Sequence, residues 1–153
     1  MRAVFCYNFK MSTTTNRYLS YPAAASGISR ASSGGAAWSF SAYTELVPAS
    51  TITSTFYIAG LTWAWHTPVA LADTTYEWII EIATGAAAAE VLAVQIPCSI
   101  RSDTLVGYVP SNLIMLPEPK EIAANTRLSV RVAYSLATTS NTLSGIKLLY
   151  EIP

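Results

Sequence analysis

Apolar and polar residues alternate with a period of two through much of this chain. The clearest example is the segment Tyr76–Ile82, in which Tyr76, Trp78, Ile80 and Ile82 fall on one face. Successive side chains of a β-strand point to opposite faces, so this period is typical of a strand. The segment therefore predicts a strand with one apolar face.

A small-residue segment separates this strand from a second apolar run. Gly85–Glu90 contains four consecutive alanines, and Val91–Ile96 follows it. An alanine run this short does not sustain an isolated helix in water. We therefore predict a β-hairpin with a tight loop at Gly85–Glu90, and we expect Pro97 to end the second strand, because proline donates no backbone hydrogen bond.

Several other segments show the same alternation. They are Trp38–Leu46, Thr53–Trp65, Asn112–Leu116, Thr126–Tyr134 and Ile146–Ile152. Pro117 and Pro119 are expected to stop the third of them. With short pieces in Ser99–Pro110, the chain has about eight strands, which predicts an all-β antiparallel sandwich. The long connections Ser99–Pro110 and Pro117–Asn125 favour a jelly roll.

The segment Thr53–Trp65 is unusual because both of its faces are apolar. Two interpretations account for this pattern. Either the strand lies at the centre of a sheet whose outer face meets another subunit, or the strand bends at Gly60.

Residues 1–37 lack a sustained period and predict an extended N-terminal arm, with residues 38–153 forming the sandwich domain. Within the arm, Ala3–Phe9 alternates weakly and is a candidate strand for a neighbour's sheet edge. The arm is basic, since the first 44 residues hold four basic residues and no acidic one. Those residues are Arg2, Lys10, Arg17 and Arg30. They are too sparse for a nucleic-acid tail, so we expect them to face an acidic protein surface.

Charge is scarce in the chain as a whole. Charged residues make up 12% of the sequence, against roughly 25% in an ordinary soluble domain. Interfaces between subunits are depleted in charge, so this deficit favours a chain that covers much of its surface with other subunits. The alternative is a plain β-domain rich in Ala, Thr and Ser. Because apolar runs stay short, we predict no membrane partner.

The sequence offers little that could carry catalysis. His66 is the single histidine, and Cys6 and Cys98 are far apart, so we predict no enzyme activity, no metal site and no cofactor. The cysteines are expected to be free thiols, with an arm-to-body disulfide as the alternative. Glu77 and Glu81 lie about 13 Å apart along a strand at 3.3 Å per residue, so they are predicted to be solvated.

Three aromatic residues of the longest strand are candidates for contacts. Trp63 and Trp65 fall on one face with Tyr57. Paired tryptophans form either a subunit contact or a platform for sugar rings, and we predict the subunit contact. Arg127 and Arg131 are predicted to be outward strand residues or contacts at an interface rim.

Two stretches resemble segments of structural proteins of tailed bacteriophages. One is Tyr76–Pro97, with the run Ile-Ala-Thr-Gly-Ala-Ala-Ala-Ala-Glu at residues 82–90, and the other is Glu121–Val132. The resemblance implies a jelly-roll decoration protein, also called a cement protein, on the outside of the capsid. It also implies synthesis in the host cytoplasm, assembly as a homotrimer and binding to the major capsid protein.

Two other functions fit the same sequence. One is a tail-fibre or baseplate module that binds host glycan through Tyr57, Trp63 and Trp65. The other is a cellular lectin-like or adhesion module, for which we expect a signal peptide; Asn8 and Lys10 interrupt the only candidate segment.

Overall fold

The computed structural model describes residues 18–23, 27–31, 35–67, 74–102, 107–137 and 142–153. Predictions for the first 17 residues, including the Ala3–Phe9 strand, lie outside this part of the chain. The described residues form nine strands and contain no helix. In chain order they are β1 (Leu19–Tyr21), β2 (Ile28–Ala31), β3 (Thr44–Val47), β4 (Phe56–Thr67), β5 (Thr74–Thr84), β6 (Val91–Ser102), β7 (Gly107–Ile122), β8 (Leu128–Tyr134) and β9 (Thr142–Glu151).

The strands form two antiparallel sheets that pack face to face. One sheet has five strands in the order β1-β9-β4-β7, with β2 also paired to β9, and the other has the order β3-β8-β5-β6. From β3 onward, each connection leads from one sheet to the other, with the exception of the β5–β6 hairpin. That hairpin stays within the four-stranded sheet. The predicted all-β sandwich is confirmed.

The core lies between the two sheets and is aromatic and aliphatic. Four strands, β4, β5, β8 and β9, contribute the largest fully buried side chains of the described residues: Phe56, Ile58, Leu61, Trp63, Trp78, Ile80, Ile82, Leu128, Tyr134, Leu143 and Ile146. Within it, the rings of Trp78 and Tyr134 stack with their centroids 4.4 Å apart. The faces predicted for Tyr76–Ile82 and for β8 are therefore the faces that the core buries.

The β5–β6 hairpin has the turn that the small residues predict. Thr84 pairs with Val91, and residues 85–90 form the loop. Gly85 has a positive φ of 110° and Ala88 one of 62°. The glycine adopts this conformation at no steric cost, because it has no Cβ.

Prolines do not end the strands as the sequence predicted. β6 continues through Pro97 to Ser102, and β7 runs through Pro110, Pro117 and Pro119. Both strands lie at the edge of their sheets. An edge strand has a row of backbone groups with no partner in the sheet, so it can hold a proline.

The prolines of β7 lie at two irregularities in its pairing with β4. Ile58 pairs with Lys120 while Gly60 pairs with Met115, so the segment holding Pro117 and Pro119 lies opposite Ala59. A second register shift places Pro110 opposite Ala64. The ladder therefore skips these prolines instead of stopping at them.

The bulge at Ala59 and Gly60 also explains why β4 has two apolar faces. Before it, Phe56 and Ile58 point into the core, and after it Leu61 and Trp63 do so. The irregularity shifts the inward set by one residue, which agrees with the interpretation in which the strand bends at Gly60. Sheet packing requires this glycine, since a Cβ at residue 60 would collide with the carbonyl oxygen of Ile114.

Two parts of the N-terminal half differ from the prediction. The segment expected to be an extended arm contributes β1 and β2, which pair with β9. Its backbone completes the free edge of β9, and this gain offsets part of the entropy lost on ordering. The strand predicted at Trp38–Leu46 is shorter, because only Thr44–Val47 pairs regularly with β8.

Candidate functional site

Of the four basic residues predicted to bind a capsid, the structure describes Arg30. Arg2, Lys10 and Arg17 lie outside the described residues. Arg30 lies in β2, and its Nη2 donates a hydrogen bond of 2.5 Å to the carbonyl oxygen of Ala42. Arg30 therefore links the five-stranded sheet to the segment that precedes β3.

The aromatic residues of β4 do not form one surface. Trp63 is 2% exposed and belongs to the core, so it is unavailable to a subunit or a sugar, and its predicted contact role is corrected to packing. Tyr57 is half-buried on the outer face, where its hydroxyl donates to Oε2 of Glu121 at 2.9 Å. This hydrogen bond and the Glu121 charge raise the pKa of Tyr57. The backbone of Trp65 lies in β4, and its side chain is outside the description.

A segment that we call the strap, residues 35–43, leads into β3 and runs along the same edge of β8. Its backbone bonds β8 at two points, from Trp38 N to Tyr134 O at 2.7 Å and from Ser41 N to Val132 O at 2.8 Å. The Ser41 hydroxyl also accepts a hydrogen bond from the Val132 N–H at 3.2 Å. These bonds fix the strap along β8.

The side chain of Arg131, in β8, contacts two aromatic rings of the strap. Its guanidinium carbon lies 4.4 Å from the ring centroids of both Phe40 and Tyr43. Its Nε lies 2.6 Å from Oε2 of Glu81. The predicted outward position of Arg131 is correct. The residue also joins the strap to the sheet, because its guanidinium forms cation–π contacts with the strap and a charge-assisted hydrogen bond with Glu81.

The two glutamates of β5 have different surroundings, which the sequence did not predict. Glu81 is 3% exposed, because Tyr43, Gln95 and Arg131 cover it, and Gln95 Nε2 donates to its Oε1 at 2.8 Å. Its prediction as a solvated residue is wrong. Burial raises the pKa of Tyr43. The positive charge of Arg131 opposes this shift, and the negative charge of Glu81 adds to it. Glu77 is exposed, as predicted.

Arg127 holds the end of the sandwich where the β5–β6 loop lies. Its Nε contacts Oε2 of Glu45 at 2.9 Å. Its Nη1 donates to the carbonyl oxygen of Gly85 at 3.1 Å and lies 3.5 Å from Oε1 of Glu90. Arg127 therefore fixes the hairpin loop against β3, a structural role that leaves it little freedom to contact a partner.

A shallow cleft of about 400 Å³ lies on the outer face of β5 and β6, beside the strap. Trp38 forms one wall and is 43% exposed. The other lining residues come from three cross-strand pairs, Glu77 with Ser99, Trp78 with Cys98 and Ile79 with Pro97. The sequence analysis missed this cleft, because Trp38 fitted the alternation of a strand; the Gly34-Gly35 pair just before it was the available signal for a break.

Exposed apolar side chains occur on both proline-containing edge strands, β6 and β7. On β7, Leu113 is 60% exposed and Met115 is 40% exposed, while on β6 Val91 and Leu92 are 66% and 51% exposed. We call these four residues the edge cluster. Such residues on free strand edges are typical of surfaces that pair with another chain.

Cys98 is the cysteine whose state the structure describes. It is a free thiol, and burial raises its pKa from an ordinary value of 9.0 to about 12. The thiol is therefore protonated and unreactive near neutral pH. Cys6 lies outside the described residues.

Within the described residues, no group of three or more His, Cys, Asp or Glu side chains could hold a metal ion. None of their elements is a helix able to cross a bilayer.

The fold defines the class of this protein as a two-sheet antiparallel β-sandwich. Comparison with protein-family models matches no family, and comparison with curated proteins finds no match. The function is therefore argued from the surface of the molecule.

Proposed function

We propose that this chain is a structural protein of a tailed-bacteriophage virion, which decorates the outside of the capsid, binds at junctions of the major capsid protein and stabilises the shell. The edge cluster carries this proposal. Val91, Leu92, Leu113 and Met115 offer apolar surface on free strand edges of a chain that is poor in charge. A surface of this kind is suited to contacts between subunits, here the other copies of a homotrimer and the capsid.

The strand order supports a jelly roll as the architecture of this protein. Among the eight strands β2–β9, each sheet alternates strands from the first four and the last four, β2-β9-β4-β7 in one sheet and β3-β8-β5-β6 in the other. Two Greek keys wound together produce such an order, and jelly rolls occur in capsid proteins and lectins alike. The fold is thus compatible with the proposal and does not by itself select the function.

A decoration protein stabilises a shell by mass action. Bound copies must be released before the shell can open, so the stabilisation grows with the concentration of free protein relative to its Kd. In the proposed mode, Arg2, Lys10 and Arg17 add electrostatic attraction to acidic capsid residues. Arg30 is less suited to this role, because it already donates to the Ala42 carbonyl.

The decisive experiment measures cosedimentation of the purified protein with phage heads that have been stripped of it. We expect the wild type to bind and to raise the temperature at which the heads release DNA. The double variant Leu113→Ser with Met115→Ser should lose this binding. Leu136→Ser is the matched control, because Leu136 is also exposed, at 50%, but lies outside the edge cluster.

A second measurement separates the electrostatic contribution from the apolar one. Replacing Arg2, Lys10 and Arg17 by Gln is preferable to deleting residues 1–37, because that deletion would also remove β1 and β2 and expose the edge of β9. The triple variant should bind more weakly and with less dependence on salt. A monomeric wild-type protein that ignores stripped heads would refute the proposed function.

A further inference from the structure

Trp38 combines a left-handed backbone conformation with an exposed side chain. Its φ is +62°, a left-handed value that is rare for a bulky residue and costs free energy. Its indole nevertheless remains 43% exposed. Strain of this kind at an exposed aromatic residue is a reason to look for a ligand beside it.

The backbone around Trp38 is firmly held. Its N–H bonds the carbonyl oxygen of Tyr134, the next N–H bonds that of Ala36 at 3.1 Å, and Ser41 bonds β8. Arg131 fixes the strap further along, between Phe40 and Tyr43. The backbone that carries the indole is therefore positioned before any ligand arrives, which lowers the entropy lost on binding.

The cleft combines one aromatic wall with groups that accept or donate hydrogen bonds. Glu77 lies beside Trp38 in the lining of the cleft, and its side chain is exposed to solvent. Ser99 pairs with Glu77 across the strands and adds a hydroxyl. Ile79 and Pro97 supply apolar surface between them, and the volume of about 400 Å³ is in the range of small-molecule sites.

We propose that this cleft binds a carbohydrate, with one sugar ring stacked on Trp38. A pyranose ring has a face of C–H groups, which suits the negative face of an indole. Its hydroxyl groups are donors for the Glu77 carboxylate and partners for the Ser99 hydroxyl. This site is separate from the edge cluster, so the proposal does not depend on capsid attachment.

A quaternary ammonium ion is the competing ligand, because Trp38 could attract it by a cation–π contact and Glu77 by charge. The cleft favours a sugar, because the second indole of its lining, Trp78, is 1% exposed and stacks on Tyr134 in the core. Trp38 is therefore the exposed aromatic ring of the cleft, whereas several exposed rings are needed to enclose such a cation. Tetramethylammonium is therefore the comparison probe.

The test exposes the full chain to an array of bacterial-surface oligosaccharides and then titrates the best-bound one in solution. We expect Trp38→Gly to lower the affinity at least about tenfold, a loss of roughly 1.4 kcal/mol. Trp38→Gly should leave the melting temperature unchanged or raise it, because glycine adopts the left-handed conformation without strain. A purely structural role for Trp38 would instead lower the melting temperature.

Two further variants make the result decisive. Glu77→Gln changes an exposed side chain and should weaken binding several-fold, which tests the site even if the glycine variant misfolds. Leu113→Ala, on the other sheet, should bind as the wild type does. The proposal is overturned if the wild type binds no sugar on the array, if both cleft variants bind normally, or if tetramethylammonium binds and the sugars do not.

Discussion

Nε of Arg131 lies 2.6 Å from Oε2 of Glu81, and this ion pair joins β8 to β5 on the outer face of the four-stranded sheet. The side chain of Glu81 is 5% exposed and that of Arg131 is 32% exposed. The same guanidinium contacts Phe40 and Tyr43, so one residue connects the sheet to the strap. The geometry of the cleft depends on this connection, because the strap carries Trp38.

Arg131→Ala should lower the free energy of unfolding by about 2 kcal/mol, because it leaves the Glu81 carboxylate covered and without its cation. Urea denaturation measures this change. Glu45→Gln is the matched control, since Glu45 forms an exposed ion pair with Arg127 and should cost less than about 1 kcal/mol. Equal losses in the two variants would contradict the structural importance of the buried pair.

Gly60→Ala should destabilise the sandwich by about 1–3 kcal/mol, because the added Cβ meets the carbonyl oxygen of Ile114 and β7 must move. Gly145→Ala is the control, since Gly145 has a positive φ of 60° but no atom within 4 Å of the added Cβ. It should lose only about 1 kcal/mol of conformational energy. Thermal unfolding of the two variants measures this difference. A Gly145→Ala variant less stable than Gly60→Ala would contradict the pairing of β4 with β7.

Cys98 should make stability fall as the pH rises above about 9. The folded pKa of about 12 exceeds the ordinary value of 9.0, so the folded state keeps a proton that the unfolded state releases. The stability from this group is complete below pH 9 and is lost as the pH approaches 12. Denaturation at several pH values should show a shallower decline for Cys98→Ala, and an unchanged decline would contradict the buried thiol.

Trp63→Ala should cost about 3–5 kcal/mol, because it empties a large volume in the core. Leu113→Ala, at an exposed position of the neighbouring strand, should change the free energy of unfolding by less than about 0.5 kcal/mol. Chemical denaturation compares the two. A small effect at Trp63 would restore it as a candidate surface residue.

Local alternation was a good guide to which residues form strands and which of their faces are buried. It predicted the β5–β6 hairpin, the inward faces of β5 and β8 and the sandwich class, because the period of a strand is a property of neighbouring residues. It did not predict the course of the edge strands. Whether Pro97 or Pro117 ends a strand depends on what lies beside it, and that neighbour comes from a distant part of the chain.

The candidate site shows the same division. Sequence alone selected Trp63, Trp65 and Tyr57 as contact aromatics and treated Trp38 as part of a strand. The structure buries Trp63 and exposes Trp38, because a bulge at Gly60 sets the inward face of β4 and a left-handed residue interrupts the strap. Glycines are the signals that the sequence offers for these irregularities, Gly60 in β4 and the Gly34-Gly35 pair before Trp38.

By itself, the sequence determined that this protein is built from strands, that the chain is poor in charge and that its first 44 residues hold four basic residues and no acidic one. Only the tertiary structure decided that β1 and β2 complete the edge of β9, that Glu81 is covered while Glu77 is open, and that the cleft forms beside Trp38. The reason is physical: a strand's period depends on consecutive residues, whereas burial and pairing depend on which distant segments the fold brings together.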